Sequence, residues 1–223
     1  MKNILKVFGI IALVAIIGIS MAACASSNAA TGDSTVNATS GEETIVCLGD
    51  SLTAGANATI VGKDDKSKSW PAFLQNKVNI PVINAGVSGN TTAQGLARVK
   101  KDVLSKNPRI VIILLGGNDY LQKIPLATTK NNLQKIIDMV NDGKRKIYLI
   151  RFYPGPGWND QVDNMFNTLA SSNNIEQIDA SWPDVWKNMS ADGMHPNAKG
   201  YELMAEYIFN DLKPYLEANN LLK

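Results

Sequence analysis

Residues 109–119 read RIVIILLGGND. An unbroken apolar run from Ile110 to Leu115 is closed by Gly116 and Gly117. A strand with one wet face alternates apolar and polar residues. A continuous run of this length belongs to a strand buried on both faces, as in a parallel sheet covered by helices. The flanking sequence agrees. TIVCLGD at 44–50, PVINAGV at 81–87, KIYLIRFY at 146–153 and IEQID at 175–179 read as further strands.

Helical patterns separate them. WPAFLQNKV at 70–78 has Ser69 at the N-cap position and Pro71 in the first turn. TTAQGLARVKKDVL at 91–104 places Leu96, Val99, Val103 and Leu104 on one side. NNLQKIIDMV at 131–140 is amphipathic, with Gly143 as its stop signal. Further helices are predicted near 160–171 and over YELMAEYIFNDL at 201–212. Strand–helix alternation with right-handed crossovers predicts one three-layer α/β/α domain over 42–223, a doubly wound, flavodoxin-like parallel sheet of five strands. Ligands in such sheets bind beyond the carboxyl ends of the strands. Three of those ends carry unusual residues: GDS at 49–51, NAGVSGN at 84–90 and GGND at 116–119.

The chain of 223 residues has 22 basic and 20 acidic side chains. No polybasic block occurs, so nothing points to nucleic acid as a partner. The start differs from the rest. Lys2 and Lys6 precede an uncharged run from Val7 to Ala23, and Cys24 follows. A basic start, an apolar stretch and small residues before a cleavage point read as a secretory signal over 1–23. The rival reading is a retained single membrane anchor at the short limit for a spanning helix. SMAAC at 20–24 resembles the bacterial lipobox, with Met21 where Leu is more usual, and makes Cys24 the expected lipidation site. Residues 24–41 are small and polar and read as a flexible tether to a membrane outside the cytoplasm. Cys47, in TIVCL, reads as a small core hydrophobe. Two cysteines and one histidine make no Cys/His zinc cage, and no metal or cofactor is expected.

That histidine, His195, lies in ADGMHPN at 191–197, three residues after Asp192. Pro196 disfavours helical geometry at His195, so the stretch reads as a turn before a helix. A serine hydroxyl needs a base to become a nucleophile, and imidazole titrates near neutrality. A carboxylate fixes the imidazole tautomer. Ser51, Asp192 and His195 form one complete set. The backbone N–H groups of Ser51 and Gly86 and the side-chain amide of Asn118 are the expected oxyanion donors. Asp50 and Asp119 read as acceptors that structure their loops.

GDSL at 49–52, Gly86 in NAGVSGN, GGND at 116–119 and DGMHPN at 192–197 resemble the four signature blocks of the SGNH (GDSL-type) hydrolases, in that family's order. The stretches SWPAFL, INAGVSGNTTAQGLARV and GGNDYLQKIP are most similar to the bacterial thioesterase/lysophospholipase/arylesterase subfamily. The resemblance implies Ser51 as nucleophile, Asp192 and His195 as its partners, and Ser51, Gly86 and Asn118 as oxyanion donors. It implies hydrolysis of a carboxylic ester or thioester, on a lipid or short acyl substrate, without a cofactor. YPGPGWND at 153–160 departs from that subfamily, so the acyl pocket, where Tyr120, Tyr153 and Trp158 are candidates, stays open. The alternatives are a carbohydrate O-acetyl esterase and, in another class, a non-catalytic surface-binding lipoprotein. No feature sets an oligomeric state.

Overall fold

The structure, a computed structural model, describes residues 43–151 and 160–223. The signal segment, the tether, Cys24, Tyr153 and Trp158 lie outside the described residues. Strands β1 (Thr44–Gly49), β2 (Val82–Gly86), β3 (Pro108–Leu114), β4 (Lys146–Arg151) and β5 (Glu176–Asp179) form one sheet. Every pairing is parallel and the order is β2-β1-β3-β4-β5. The winding reverses at β1, which opens a crevice beyond the carboxyl ends of β1 and β3.

The expected double burial is visible residue by residue. Ile45 and Cys47 of β1 and Ile110, Ile112 and Leu114 of β3 face one core, while Val46, Leu48, Val111 and Ile113 face the other. The first core is closed by α2 (Trp70–Gln75), α7 (Pro183–Lys187) and α8 (Ala198–Ala218). The second is closed by α3 (Thr92–Asp102), α5 (Leu126–Val140) and α6 (Asp160–Ser172). Each fully buried Val, Leu or Ile contributes about 1.5–3 kcal/mol, which favours apolar side chains at the interior positions of β1 and β3. Cys47 is fully buried, and burial pushes its thiol well up. Trp70 is packed in the first core.

Several local expectations are corrected. Ser69 occupies the N-cap of α2 without capping it. Its hydroxyl instead donates to Lys66 O at 2.6 Å and accepts from Asn84 Nδ2 at 2.9 Å. Gly143 does not end α5: the helix stops at Val140, Asn141 is extended, and Gly143 turns the chain further on at φ +76°. GGND at 116–119 leads into a short helix, α4 (Gly117–Leu121). Another short helix, α1 (Ser51–Ala54), follows β1 directly. No helix among the described residues is long and apolar enough to cross a membrane.

Candidate active site

β1 delivers its last residue, Gly49, opposite Gly86 of β2. A Cβ on Gly49 would fall 2.0 Å from Thr53 Oγ1, and one on Gly86 would fall 2.3 Å from Ala54 N. These glycines let α1 fold back onto the sheet edge. Asp50 caps α1, its Oδ1 accepting from Leu52 N–H at 3.0 Å. Ser51 is thereby the first residue of the helix. Its N–H has no hydrogen-bond partner among the described residues, as expected for a first-turn donor. Asp50 is buried, and burial pushes its carboxyl up to about 6 against the pull of the Leu52 N–H.

The sole imidazole arrives from the other end of the chain. His195 Nε2 stands 2.9 Å from Ser51 Oγ, and His195 Nδ1 stands 2.6 Å from Asp192 Oδ2. The carboxylate accepts from Nδ1–H, which leaves Nε2 to accept from the serine hydroxyl. Asp192 is itself held. Its Oδ1 accepts from Ser190 Oγ at 2.5 Å and from the N–H groups of Met194 and His195, each at 3.0 Å. Burial alone would raise this carboxyl, but the hydrogen bonds from His195, Ser190 and the two N–H groups outweigh it and hold it well below the usual range. Asn197 caps α8 through Gly200 N–H at 3.0 Å and fixes where the turn ends.

The second and third strand ends are arranged differently from expectation at one point. Gly86 N–H donates to Asn84 Oδ1 at 2.9 Å, so it is committed beneath α1 and does not face the crevice as a spare donor. In the following loop, Val87 N–H donates to Gly49 O and Asn90 N–H to Val87 O. Gly89 N–H has no partner among the described residues, at φ +79°. Asn118, in α4, donates through Nδ2 to Asn90 O at 3.0 Å and approaches Asp50 Oδ2 at 3.4 Å. The amide therefore lies between the Gly89–Asn90 turn and the residue before Ser51. Asp119 is buried and accepts from Thr92 N–H at 2.8 Å, tying α4 to the start of α3. Both loop carboxylates act as the acceptors expected of them.

Sequence reasoning missed two residues. Arg98 lies in RVKK at 98–101, which reads in sequence as the wet side of a helix. Its guanidinium instead donates to Gly49 O and Ala85 O, both at 2.7 Å, and to Asn90 Oδ1 at 2.8 Å. Asn57, three residues past α1, donates through Nδ2 to Asp192 Oδ2 at 2.5 Å. Its positive φ of 59° is invisible in sequence, although Asn in a loop is the residue type that tolerates it. Tyr120, the one candidate pocket residue described, lines a cavity of about 440 Å³ together with Gly116, Leu121, Ile124, Met165 and Phe166.

The GDSL-like lipase/acylhydrolase family matches over residues 47–203. An arylesterase from Vibrio mimicus is 30% identical over 193 residues, spanning 80% of this chain and 92% of that protein. The thioesterase 1/protease 1/lysophospholipase L1 of Escherichia coli K12 is 30% identical over 181 residues, spanning 77% of this chain and 84% of that protein. Among solved structures, the psychrotrophic esterase EstA from Pseudoalteromonas sp., inhibited by monoethylphosphonate, is similar with a TM-score of 0.67 and 25% identity over 79% of this chain and 100% of that one. The chain belongs to the GDSL-like lipase/acylhydrolase family and is a hydrolase acting on ester bonds.

Proposed function

We propose that Ser51, His195 and Asp192 carry a two-step ester hydrolysis. The observation that supports this best is the unbroken relay from Ser51 Oγ to His195 Nε2 at 2.9 Å and from His195 Nδ1 to Asp192 Oδ2 at 2.6 Å. Ser51 Oγ attacks the ester carbonyl as its proton passes to His195 Nε2, and Asp192 stabilises the imidazolium. The carbonyl electron pair moves onto oxygen. Collapse of the tetrahedral adduct breaks the bond to the leaving oxygen or sulfur, which takes the proton from Nε2. Water then repeats the sequence on the acyl-serine and releases a carboxylic acid.

The oxyanion is received by Ser51 N–H, by Gly89 N–H in place of Gly86, and by Asn118 Nδ2. The long 3.4 Å contact of Asn118 with Asp50 is the one that the oxyanion displaces. Removing one such donor costs about 2.7–4 kcal/mol of transition-state stabilisation.

Esters with apolar acyl groups fit this site best. Among the described residues the exposed large hydrophobic side chains are Ile60, Val61, Val87, Tyr120, Leu121 and Met194. Tyr120 and Leu121 share α4 with Asn118 and line the cavity, while Ile60, Val61, Val87 and Met194 lie on the loops that carry Asn57, Gly89 and His195. Lysophospholipids and arylesters offer such groups, and the signal-like start with Cys24 supports a reading of the enzyme as held on a membrane outside the cytoplasm. Labelling with a phosphonate ester tests the chemistry: one adduct at Ser51, lost in Ser51→Ala, is expected. Folded protein that does not label overturns Ser51 as the nucleophile. An acyl-chain series run beside acetylated glycans tests the substrate, and a preference for sugar acetates overturns the apolar reading.

A further inference from the structure

Asn57 belongs to no element of the relay, yet three elements converge on it. Its backbone N–H donates to Lys63 O at 2.8 Å, and its Oδ1 accepts from Gly62 N–H at 2.6 Å. Those bonds orient the amide, leaving Nδ2 to point at the carboxylate. Nδ2 donates to Asp192 Oδ2 and stands 3.3 Å from His195 Nδ1. The backbone on either side of Asn57 is pinned to the last helix. Tyr201 Oη donates to Ala56 O, and Ala198 N–H donates to Ala58 O, both at 2.9 Å. The strap leaving the nucleophile helix is thus bolted to the segment that brings the histidine.

We propose that Asn57 is a positioning residue for the Asp192–His195 pair, a role that rests on the reading of Ser51, His195 and Asp192 as the catalytic set. Two donors share one carboxylate oxygen: His195 Nδ1–H and Asn57 Nδ2–H. The amide fixes the Asp192 rotamer through Oδ2 while the Ser190 hydroxyl and the Met194 and His195 N–H groups fix it through Oδ1. A carboxylate so held keeps the imidazole plane aimed at Ser51. The amide hydrogens also carry partial positive charge toward Nδ1. That partial charge lies against the ring edge that faces Asp192.

The charged and titratable groups around this point are few. Asp192 comes from the histidine's own turn, Asp50 and Ser51 from the β1–α1 junction, and Asp64 and Tyr201 from the strap and α8 behind them. Asp50 and Asp192 favour the imidazolium, and among these neighbours the Asn57 amide is the group that opposes it.

Asn57→Asp separates the two jobs of the side chain. It keeps an oxygen for Gly62 N–H and tolerates the same backbone conformation, but it removes the donor facing Asp192. In the full chain, with p-nitrophenyl butyrate as substrate, kcat is expected to fall about 10–100-fold with KM changed less than about twofold. The acid limb of the rate profile is expected to move up by about 0.5–1 pH unit. Asn57→Ala removes the donor without adding charge and is expected to shift the limb in the same direction by less. Phosphonate labelling of Ser51 is followed in parallel. Wild-type kcat and an unmoved acid limb in Asn57→Asp overturn the role, as does a loss of kcat with an unmoved limb, which would mark a loop that only folds. If the wild type labels and Asn57→Asp labels at the same rate, Asn57 is refuted and the triad stands. If the wild type does not label, the triad is refuted and this role with it.

Discussion

Arg98 Nη2 lies 2.7 Å from Gly49 O, so a side chain of α3 holds the last carbonyl of β1, immediately before Asp50 and Ser51. The same guanidinium reaches Ala85 O of β2 and Asn90 Oδ1, and Asp102 faces it at 3.2 Å. One planar group therefore ties the ends of two strands to the turn that presents Gly89 and holds Asn118. Lysine has the charge, but its three donors sit on one nitrogen, without the planar fork that spans these separated acceptors.

Arg98→Lys is therefore expected to lower stability by about 2 kcal/mol in urea unfolding, on the scale of one or two lost hydrogen bonds to a charged group. It is also expected to lower kcat by about tenfold, because the strand ends it holds lead into Ser51 and the Gly89–Asn90 turn. Unchanged unfolding midpoint and turnover would show that the sheet ends need no such tie.

The core of this arrangement was legible in sequence because period and type speak directly there. The run Ile110–Leu115 is apolar on both sides, and its alternating side chains fill two separate cores. Ser51, Asp192, His195 and Asn118 stand out because a hydroxyl, the sole imidazole, a carboxylate and an amide each follow a strand end or precede a helix start. Arg98 was hidden because a helix charge next to two lysines looks solvated whether or not carbonyls lie above it. Asn57 was hidden because its partner is 135 positions away. Gly86 misled for a related reason. Glycine marks close backbone approach, and sequence cannot tell an approach to substrate from an approach to α1, which is what Gly86 makes.

That distinction gives a test. Gly86→Ala keeps the backbone N–H but drives a methyl toward Ala54 N, where only 2.3 Å is available. α1 must shift, and Ser51 with it. A displacement near 1 Å at a reacting atom costs about 100-fold in rate. Turnover is expected to collapse while the Asn84 contact to Gly86 N–H survives. A Gly86→Ala enzyme with normal kcat would mean that α1 yields without moving its serine.

Asp50 makes stability depend on pH in an unusual direction. Its folded carboxyl titrates at about 6, above the ordinary 3.8, because burial disfavours the anion. The native state therefore binds more protons than the unfolded state between those values, and this contribution to stability falls as pH rises from about 4 to 6. It amounts to about 3 kcal/mol across the window. Asp50→Asn does not titrate there. The stability of the wild type minus that of Asp50→Asn, taken from urea unfolding at each pH, is expected to decline over this range and to level off above pH 7. A difference that stays flat would place the Asp50 carboxylate in contact with water.

Asp192 runs the other way and joins stability to chemistry. Its carboxyl is held below the usual range, so its contribution is present above the ordinary carboxylate value near 4 and is lost as pH falls through the lower folded one. Asp192→Asn keeps an oxygen and replaces the other with an amide. With the carbonyl toward Ser190 and the two N–H groups, the amide hydrogens face His195 Nδ1, so Nδ1 must accept and the ring proton moves to Nε2. That proton then points at Ser51 Oγ, where the base is needed. Turnover is expected to drop by about 10³–10⁴-fold at neutral pH, the scale seen when a triad histidine is held in the wrong tautomer. The drop is expected to come in kcat with little change in KM, and circular dichroism is expected to show an intact fold. A variant that retains a tenth of wild-type kcat would mean that the carboxylate only folds its turn, and the 2.6 Å contact with His195 would then have no part in the reaction.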